Sequence, residues 1–139
     1  MTDTAPVESE EVHRIATDPD VVLVRQSVRS VAVLAKLSLV DQTKLVTAAS
    51  ELARNTLVHG GGGMVRIAMI SSAGRLGVRA TFIDEGPGIE DVHLALTDGW
   101  TTGVGMGLGL SGAKRLVDDF DIVSGPGRGT CVSIVKWTR

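Results

Sequence analysis

Cysteine is nearly absent from this sequence, which has one, Cys131, among 139 residues. A single cysteine cannot close a disulfide within the chain, so the sequence is not that of a small secreted domain held together by disulfides. A chain of this length can bury a hydrophobic core without disulfides or structural metal ions. We therefore expect a single domain in a reducing compartment, the cytoplasm.

An excess of positive charge is also missing. The chain has 14 Lys and Arg residues against 16 Asp and Glu residues, which gives a formal net charge of -2. Nucleic acid is bound by basic surfaces, so it is not an expected partner. No apolar run approaches the roughly 18 residues that a membrane-spanning helix needs, and the opening "MTDTAPVESEE" has neither the positive charge nor the apolar stretch of a signal peptide. We expect no membrane partner either.

Polarity divides the chain into two parts. Residues 1–11 are acidic and polar, which indicates a disordered tail. Residues 12–139 carry regular hydrophobic spacing, which indicates one folded domain, and within it residues 12–17 alternate like a short edge strand.

Two helices are predicted to follow this strand. The first has Asp18 as its predicted cap, with Pro19 at its first helical position and apolar residues at helical spacing behind it. The second begins at Ser38, three residues before Asp41, and ends at Gly60.

Strands and one more helix make up the rest. "MVRIAMISS" and "LGVRATFID", joined by "AGR", indicate a hairpin. A Gly-rich loop over residues 85–107 precedes a third helix, "LGLSGAKRLVDDF", and two strands, "DIVS" and "TCVSIVKW". This order predicts the α+β class: a two-layer α/β sandwich in which a mixed sheet of about five strands carries three helices on one face. A loop of that length in a compact domain is typical of a lid or a binding segment.

Glycines cluster in and after this loop, in "DEGPGI" at residues 84–89 and "TTGVGMGLGLSG" at residues 101–112. Glycines just before a helix let backbone N–H groups approach a phosphate chain, with the positive end of the helix behind them. The pattern favours a nucleotide over its alternative, a flexible linker.

Better-known glycine motifs do not fit. A P-loop needs Gly followed directly by Lys and then Ser or Thr, but Ala113 separates Gly112 from Lys114. The spacing of a dinucleotide fingerprint is present without the buried strand before it or the acidic residue after it. "GLSGA" resembles the nucleophile elbow of a hydrolase, but no histidine follows Ser111 to act as its base.

The combination of motifs carries a resemblance. "ELARN" on a helix, "DEGPGI" after a strand and "GMGLGLSG" at the start of a later helix resemble, in this order, the N, G1 and G2 boxes of the GHKL or Bergerat-fold ATPases. A final "GRGT" at residues 127–130 resembles the Gly-Thr element that closes the same pocket. The chain lacks the dimerising helix of a whole histidine kinase. It is most similar to the small RsbT-type serine/threonine kinases of bacterial partner switching, a similarity that includes the ending "IVKW".

The resemblance implies a site for ATP and Mg²⁺. Glu51 and Asn55 are spaced i, i+4, so they project from one face of the second helix. The amide oxygen of Asn55 is a suitable ligand for the Mg²⁺ that accompanies ATP, which also makes Asn55 an ATP-binding residue. The resemblance implies that Glu51 is the general base. It gives Asp84 the role of accepting a hydrogen bond from the exocyclic amine of adenine, with support from Thr130. The further ATP-binding residues that it implies are Gly86, Gly88, Ile89, Gly105, Gly107, Leu108 and Gly109.

The implied function is that of a kinase which phosphorylates a STAS-domain antagonist and is then released to bind a downstream regulator or phosphatase in a stress response. An anti-sigma factor with kinase activity, which holds a sigma factor, is the alternative. Related anti-sigma kinases carry an arginine shortly before the G2 glycines, and "TTGVG" has none, which favours the first function. Arg54, Lys114 and Arg115 remain candidates for the contact with the γ-phosphate. A third function, an ATP-binding module without turnover, is disfavoured by the presence of Glu51.

Overall fold

The structure of the chain is a computed structural model that describes residues 7–89, 91–96 and 108–139. Its helices and strands form an α+β domain, as predicted. In chain order they are β1 (Val7–Ile15), α1 (Asp18–Leu34), α2 (Leu39–Val58), β2 (Gly63–Ser72), β3 (Arg75–Asp84), α3 (Val92–Ala95), α4 (Leu108–Leu116), β4 (Asp119–Ser124) and β5 (Thr130–Trp137).

The five strands form one sheet in the order β1-β2-β3-β5-β4. All four pairings between these described strands are antiparallel, so the predicted mixed sheet is wrong in this detail. Two successive helices, α1 and α2, connect β1 to β2, and these two strands pair antiparallel. β3 and β4 run in the same direction, but β5 lies between them and pairs antiparallel with both.

The first strand begins earlier than the sequence indicated. It starts at Val7 rather than at residue 12, so the predicted tail of residues 1–11 extended too far into the domain. β1 is an edge strand that pairs with β2 through its backbone, and Glu10 and Glu11 are exposed to solvent. An exposed acidic strand has a polar sequence similar to that of a disordered segment, which is why the pattern did not distinguish the two.

Side chains fix the starts of both long helices. The Asp20 carboxylate in the first turn of α1 accepts hydrogen bonds from the N–H groups of Ala16 and Thr17, at 2.8 and 2.9 Å. The hydroxyl of Ser38 accepts a hydrogen bond from the Asp41 N–H at 3.1 Å and caps α2. These contacts satisfy N–H groups that helix geometry leaves without partners. The predicted cap Ser38 is confirmed for α2. The cap of α1 is Thr17, one residue before the predicted cap, so the proline is the second helical residue rather than the first.

Replacing the capping residue of α2 is expected to lower stability moderately. Ser38→Ala removes the hydrogen-bond acceptor of the Asp41 N–H, which costs about 1 kcal/mol of unfolding free energy and lowers the melting temperature by roughly 3 °C. Thermal unfolding followed by circular dichroism measures the shift. The matched control is Ser30→Ala, at an exposed position inside α1, and equal melting temperatures for the two variants would contradict the capping role.

The predicted hairpin is present. β2 and β3 are joined by a two-residue turn, Ala73 and Gly74, both with positive φ (51° and 80°), the geometry that matches the twist of antiparallel strands. One face of the resulting sheet packs on α1 and α2. The largest side chains of the core between these layers are fully or almost fully buried, and they include Leu45, Leu52, Ile67, Phe82 and Ile134.

The third helix is shorter than predicted. α4 ends at Leu116 and β4 begins at Asp119, whereas the pattern extended the helix to Phe120. The Asp118 carboxylate accepts hydrogen bonds from the Trp137 N–H at 2.7 Å and from the Arg139 guanidinium at 2.9 Å. These contacts with the end of β5 hold the chain in a strand arrangement that helical spacing cannot reveal. Within the predicted loop, one turn of helix, α3, was not predicted.

A buried cation links β5 to the start of α2. The Nζ of Lys136 lies 3.5 Å from a carboxylate oxygen of Asp41 and 3.5 Å from one of Asp118, and its side chain is almost completely buried. Burial alone would raise the pKa of Asp118, but the hydrogen bond from Trp137 and the charges of Lys136 and Arg139 outweigh it and lower that pKa. The cluster anchors the N-terminal end of α2, and the site described below lies toward the other end. In the described parts of the chain, no helix has the length and hydrophobicity needed to span a bilayer.

Candidate functional site

The N and G2 boxes meet where α4 packs against α2. Gly109, in the first turn of α4, is buried, and a Cβ atom at this position would lie 3.1 Å from the Glu51 Oε2 and 3.2 Å from the Asn55 Nδ2. A side chain at position 109 would press on both groups, so glycine permits the close approach of the two helices. Glu51 is exposed and Asn55 half-buried. The structure therefore places the predicted carboxylate and amide together beside the start of α4.

Asp84 and Thr130 form a second pair of predicted site residues. They are direct partners across β3 and β5. Because side chains alternate along a strand, both lie on the same face of the sheet as Phe82, which packs in the core with residues of α1 and α2. Their exposed fractions are 9% and 8%. The Asp84 Oδ1 accepts a hydrogen bond from the Gly86 N–H at 2.9 Å, which orients the carboxylate. A Cβ atom on Gly60 would collide with this carboxylate, so Asp84 lies against the segment that follows α2.

The glycines of the G1 box let two loops pack tightly. Gly88 has a φ of 79°, and a Cβ atom there would collide with the Gly125 carbonyl group. The Gly127 N–H donates a hydrogen bond to the Pro87 carbonyl oxygen at 2.8 Å. Because of these contacts, the loop after β3 rests on the β4–β5 loop, and Ile89 is buried there.

Sequence analysis missed Ser124. This residue ends β4 and lies directly opposite Thr130 on β5. Its hydroxyl makes hydrogen bonds with Ile89, Gly129 and Thr130, so it links the G1 loop to the closing Gly-Thr element. The available signal was its place immediately before the turn "GPGRG", where a strand-end serine commonly bonds to loop backbone.

Other predicted site residues are less completely described. Gly105 and Gly107 lie outside the described residues. Leu108 is the first residue of α4. The three candidates for the γ-phosphate contact are exposed on the two helices of the site, Arg54 on α2 and Lys114 and Arg115 on α4.

The residues present fit a Mg²⁺-nucleotide. An amide oxygen is a hard ligand of the type that Mg²⁺ accepts, and Mg²⁺ usually takes few ligands from protein and several from phosphate and water. Asn55 supplies such an oxygen, and the Gly109 backbone beside it leaves space that a side chain would fill. A bound Mg²⁺ would neutralise charge on the phosphates of ATP.

Comparison with known proteins identifies the family. Residues 40–138 match the family described as histidine kinase-, DNA gyrase B-, and HSP90-like ATPase. The chain belongs to this ATPase family. The predicted GHKL membership is thereby confirmed, and the family implies ATP as the nucleotide.

Two kinds of relative within the ATPase family match the chain. It is 41% identical over 126 residues to the serine/threonine-protein kinase RsbT of Bacillus subtilis (strain 168), covering 91% of this chain and 95% of that protein. It is 32% identical over 97 residues to the anti-sigma F factor of Thermoanaerobacter sp. (strain X514), covering 66% of each protein. The nearly full-length first match confirms the predicted kinase group and its class of activity, ATP-dependent phosphorylation of a protein serine or threonine.

Solved structures also share the fold. A crystal structure of the RsbU and RsbW domains of a Mycobacterium tuberculosis protein superposes with a TM-score of 0.64 at 23% identity, over 94% of this chain and 33% of that one. The SiaB-SiaC complex of Pseudomonas aeruginosa gives a TM-score of 0.55 at 11% identity, over 97% of this chain and 92% of the matched one. At these identities the likeness concerns the fold alone.

Proposed function

We propose that this kinase phosphorylates a serine or threonine of a small STAS-domain antagonist in the cytoplasm and is then released to bind a downstream regulator or phosphatase. The observation that carries the proposal is the 41% identity to the kinase RsbT, which extends over nearly the whole of both chains. Similarity of that extent covers the surfaces around the pocket as well as the pocket itself.

In this proposal ATP lies between two groups of side chains. The adenine lies against Asp84 and Thr130, which adjoin each other on β3 and β5. The phosphates lie at the start of α4, where Gly109 approaches Glu51 and Asn55 and where the helix N-terminus favours negative charge. Asn55 holds the Mg²⁺ that accompanies the phosphates.

Glu51 is the proposed base. Its carboxylate is exposed, so a hydroxyl group of a docked protein can reach it. It accepts the proton of that hydroxyl as the oxygen forms its bond to the γ-phosphorus, while the bond from phosphorus to the oxygen of ADP breaks. The products are a phosphorylated side chain, ADP and a proton on Glu51 that passes to water.

Release of the antagonist follows from charge. A phosphate group adds a charge of about -1.5 to -2 at neutral pH, and inside a packed interface next to acidic groups it is repelled and poorly solvated. Glu51 supplies one such acidic group at the edge of the proposed contact. The phosphorylated antagonist therefore dissociates, and the surface that it covered becomes available to the second partner.

The second candidate function is that of an anti-sigma factor with kinase activity. The match to anti-sigma F factors at 32–34% identity favours it, although that match covers 66% of the chain. The two functions differ in the partner held in the presence of ATP: an antagonist in the first, a sigma factor in the second.

Phosphorylation and capture experiments distinguish these functions. Purified protein is incubated with labelled ATP and Mg²⁺ and with each STAS-domain protein of its own genome, and the labelled residue is mapped. We expect label on one serine or threonine of one such protein, and loss of its complex with the kinase after phosphorylation but not with a non-hydrolysable ATP analogue. Recovery of a sigma factor as the main ATP-dependent partner, with no labelled STAS-domain protein, would overturn the proposal.

A further inference from the structure

Three hydrogen bonds meet at the hydroxyl of Ser124. Its Oγ accepts a hydrogen bond from the Ile89 N–H at 2.8 Å. It lies 2.9 Å from the carbonyl oxygen of Gly129 and 2.8 Å from the Oγ1 of Thr130. A serine hydroxyl has one proton to donate and two lone pairs to accept with, so these three contacts use its full capacity.

Counting protons assigns the direction of each bond. The Gly129 carbonyl has no proton, so Ser124 donates to it. The Ile89 N–H can only donate, so it occupies one lone pair of the Ser124 Oγ. The remaining lone pair can bond to Thr130 only if the Thr130 hydroxyl donates its proton. Any other arrangement leaves a partly buried polar group unsatisfied, which is costly.

Thr130 consequently has no proton left for a ligand. Its oxygen can offer only a lone pair on the side of the sheet that carries Asp84. The neighbouring Asp84 carboxylate is an acceptor as well, and one of its oxygens is already bonded to the Gly86 N–H. Two acceptors side by side match a ligand group with two N–H donors, such as an amino group, and oppose a carbonyl oxygen.

We propose that Ser124 is a specificity-determining positioning residue: it fixes the Thr130 hydroxyl as an acceptor and so selects a 6-amino purine over a 6-oxo purine. This inference rests on the proposed placement of the nucleotide base at Asp84 and Thr130. Without Ser124 the Thr130 hydroxyl rotates freely and is able to donate to a 6-oxo group, so that group no longer faces two acceptors. The selection then weakens although neither residue at the base has changed.

The test compares ATP with inosine triphosphate, whose base differs only in the 6-oxo group and the N1 proton that goes with it. Dissociation constants for both nucleotides are measured with Mg²⁺ by calorimetry, for the parent protein and for Ser124→Ala, Ser124→Thr and Ser133→Ala. Ser133 bonds to Thr81 at 3.2 Å on the opposite face of the sheet and provides the matched control for loss of a serine hydrogen bond.

We expect Ser124→Ala to reduce the preference for ATP over inosine triphosphate by about tenfold or more. This is the change in affinity expected when one hydrogen bond reverses its direction. Ser124→Thr keeps a hydroxyl and restores the parent preference, and Ser133→Ala retains it. Loss of the bonds to Ile89 and Gly129 by itself would lower the affinity for both nucleotides equally. The ratio of the two dissociation constants therefore distinguishes the positioning of Thr130 from a general loosening of the site. An unchanged ratio in Ser124→Ala would overturn the inference.

A second variant gives a check that does not depend on the folding of Ser124→Ala. If Thr130 is an acceptor, Thr130→Val lowers the affinity for ATP and leaves the affinity for inosine triphosphate unchanged or raises it. A greater loss of affinity for inosine triphosphate than for ATP would mean that Thr130 donates a hydrogen bond, which overturns the inference. If the parent protein binds ATP and labels its substrate but either variant gives the contrary result, only this inference is overturned. If the parent protein binds no ATP, the proposed function itself is contradicted.

Discussion

Glu51→Gln is expected to bind Mg²⁺ and ATP like the parent protein and to transfer phosphate about 10²- to 10⁴-fold more slowly. The glutamine keeps the size and hydrogen-bonding oxygen of the side chain but cannot take a proton from the attacking hydroxyl. Glu51 is exposed and makes its close approach to the Gly109 backbone, so the substitution leaves the core intact. This variant should therefore keep the nucleotide affinity of the parent protein and lose most of its rate of phosphate transfer.

Single-turnover transfer of labelled phosphate to the substrate protein measures the rate, and calorimetry measures the nucleotide affinity. Glu10→Gln, which removes an equivalent exposed carboxylate from β1, is the matched control and should transfer at the parent rate. Parent-like transfer by Glu51→Gln would show that another group, or water alone, removes the proton. Weak nucleotide binding by the same variant would instead indicate that Glu51 contacts the metal or the phosphates.

Asn55→Ala is expected to lose the Mg²⁺-dependent part of ATP binding, a weakening of about 10- to 100-fold when Mg²⁺ is saturating. The amide oxygen is the proposed protein ligand of the ion, and alanine has no oxygen to replace it. Without Mg²⁺ the affinities of variant and parent should be similar, because the contacts of Asp84 and Thr130 with the base remain. This contrast distinguishes a metal ligand from a residue that only supports the helix.

Calorimetric titration with ATP, once with excess Mg²⁺ and once with a chelator, measures both affinities. Gln26→Ala removes an exposed amide from α1, away from the site, and is the control for loss of a surface amide. Equal ATP affinity of Asn55→Ala and the parent in saturating Mg²⁺ would remove Asn55 from the metal site. Equal losses with and without Mg²⁺ would place its contact on the nucleotide rather than on the ion.

Local features of this chain were predictable because they depend on residues close in sequence. The cap at Ser38 and the turn at Ala73 and Gly74 each involve a few neighbouring residues and lie where the pattern predicted. The cap of α1 lies within one residue of the predicted position. The boxes were recognisable for the same reason, since each is a short segment. The family, the α+β class and the kinase group followed from their order, and the comparisons confirm them.

Features that depend on distant partners were predicted less well. β1 extends to Val7 because its backbone finds a partner in β2, and α4 stops at Leu116 because Asp118 bonds to the end of β5. No local pattern contains these partners. The roles of Glu51, Asn55 and Asp84 remain predictions, although the structure places the first two beside Gly109 and the third beside Thr130.

The sequence by itself determined which chemical groups this protein has and on which elements they lie, since helical and strand periodicity and glycine boxes are properties of short segments. Only the tertiary structure decided how the groups from different segments act on one another. The insertion of β5 between β3 and β4 places Thr130 beside both Asp84 and Ser124. The direction of a hydroxyl proton depends on every partner within hydrogen-bonding distance, and for Thr130 the deciding partner is supplied by another strand.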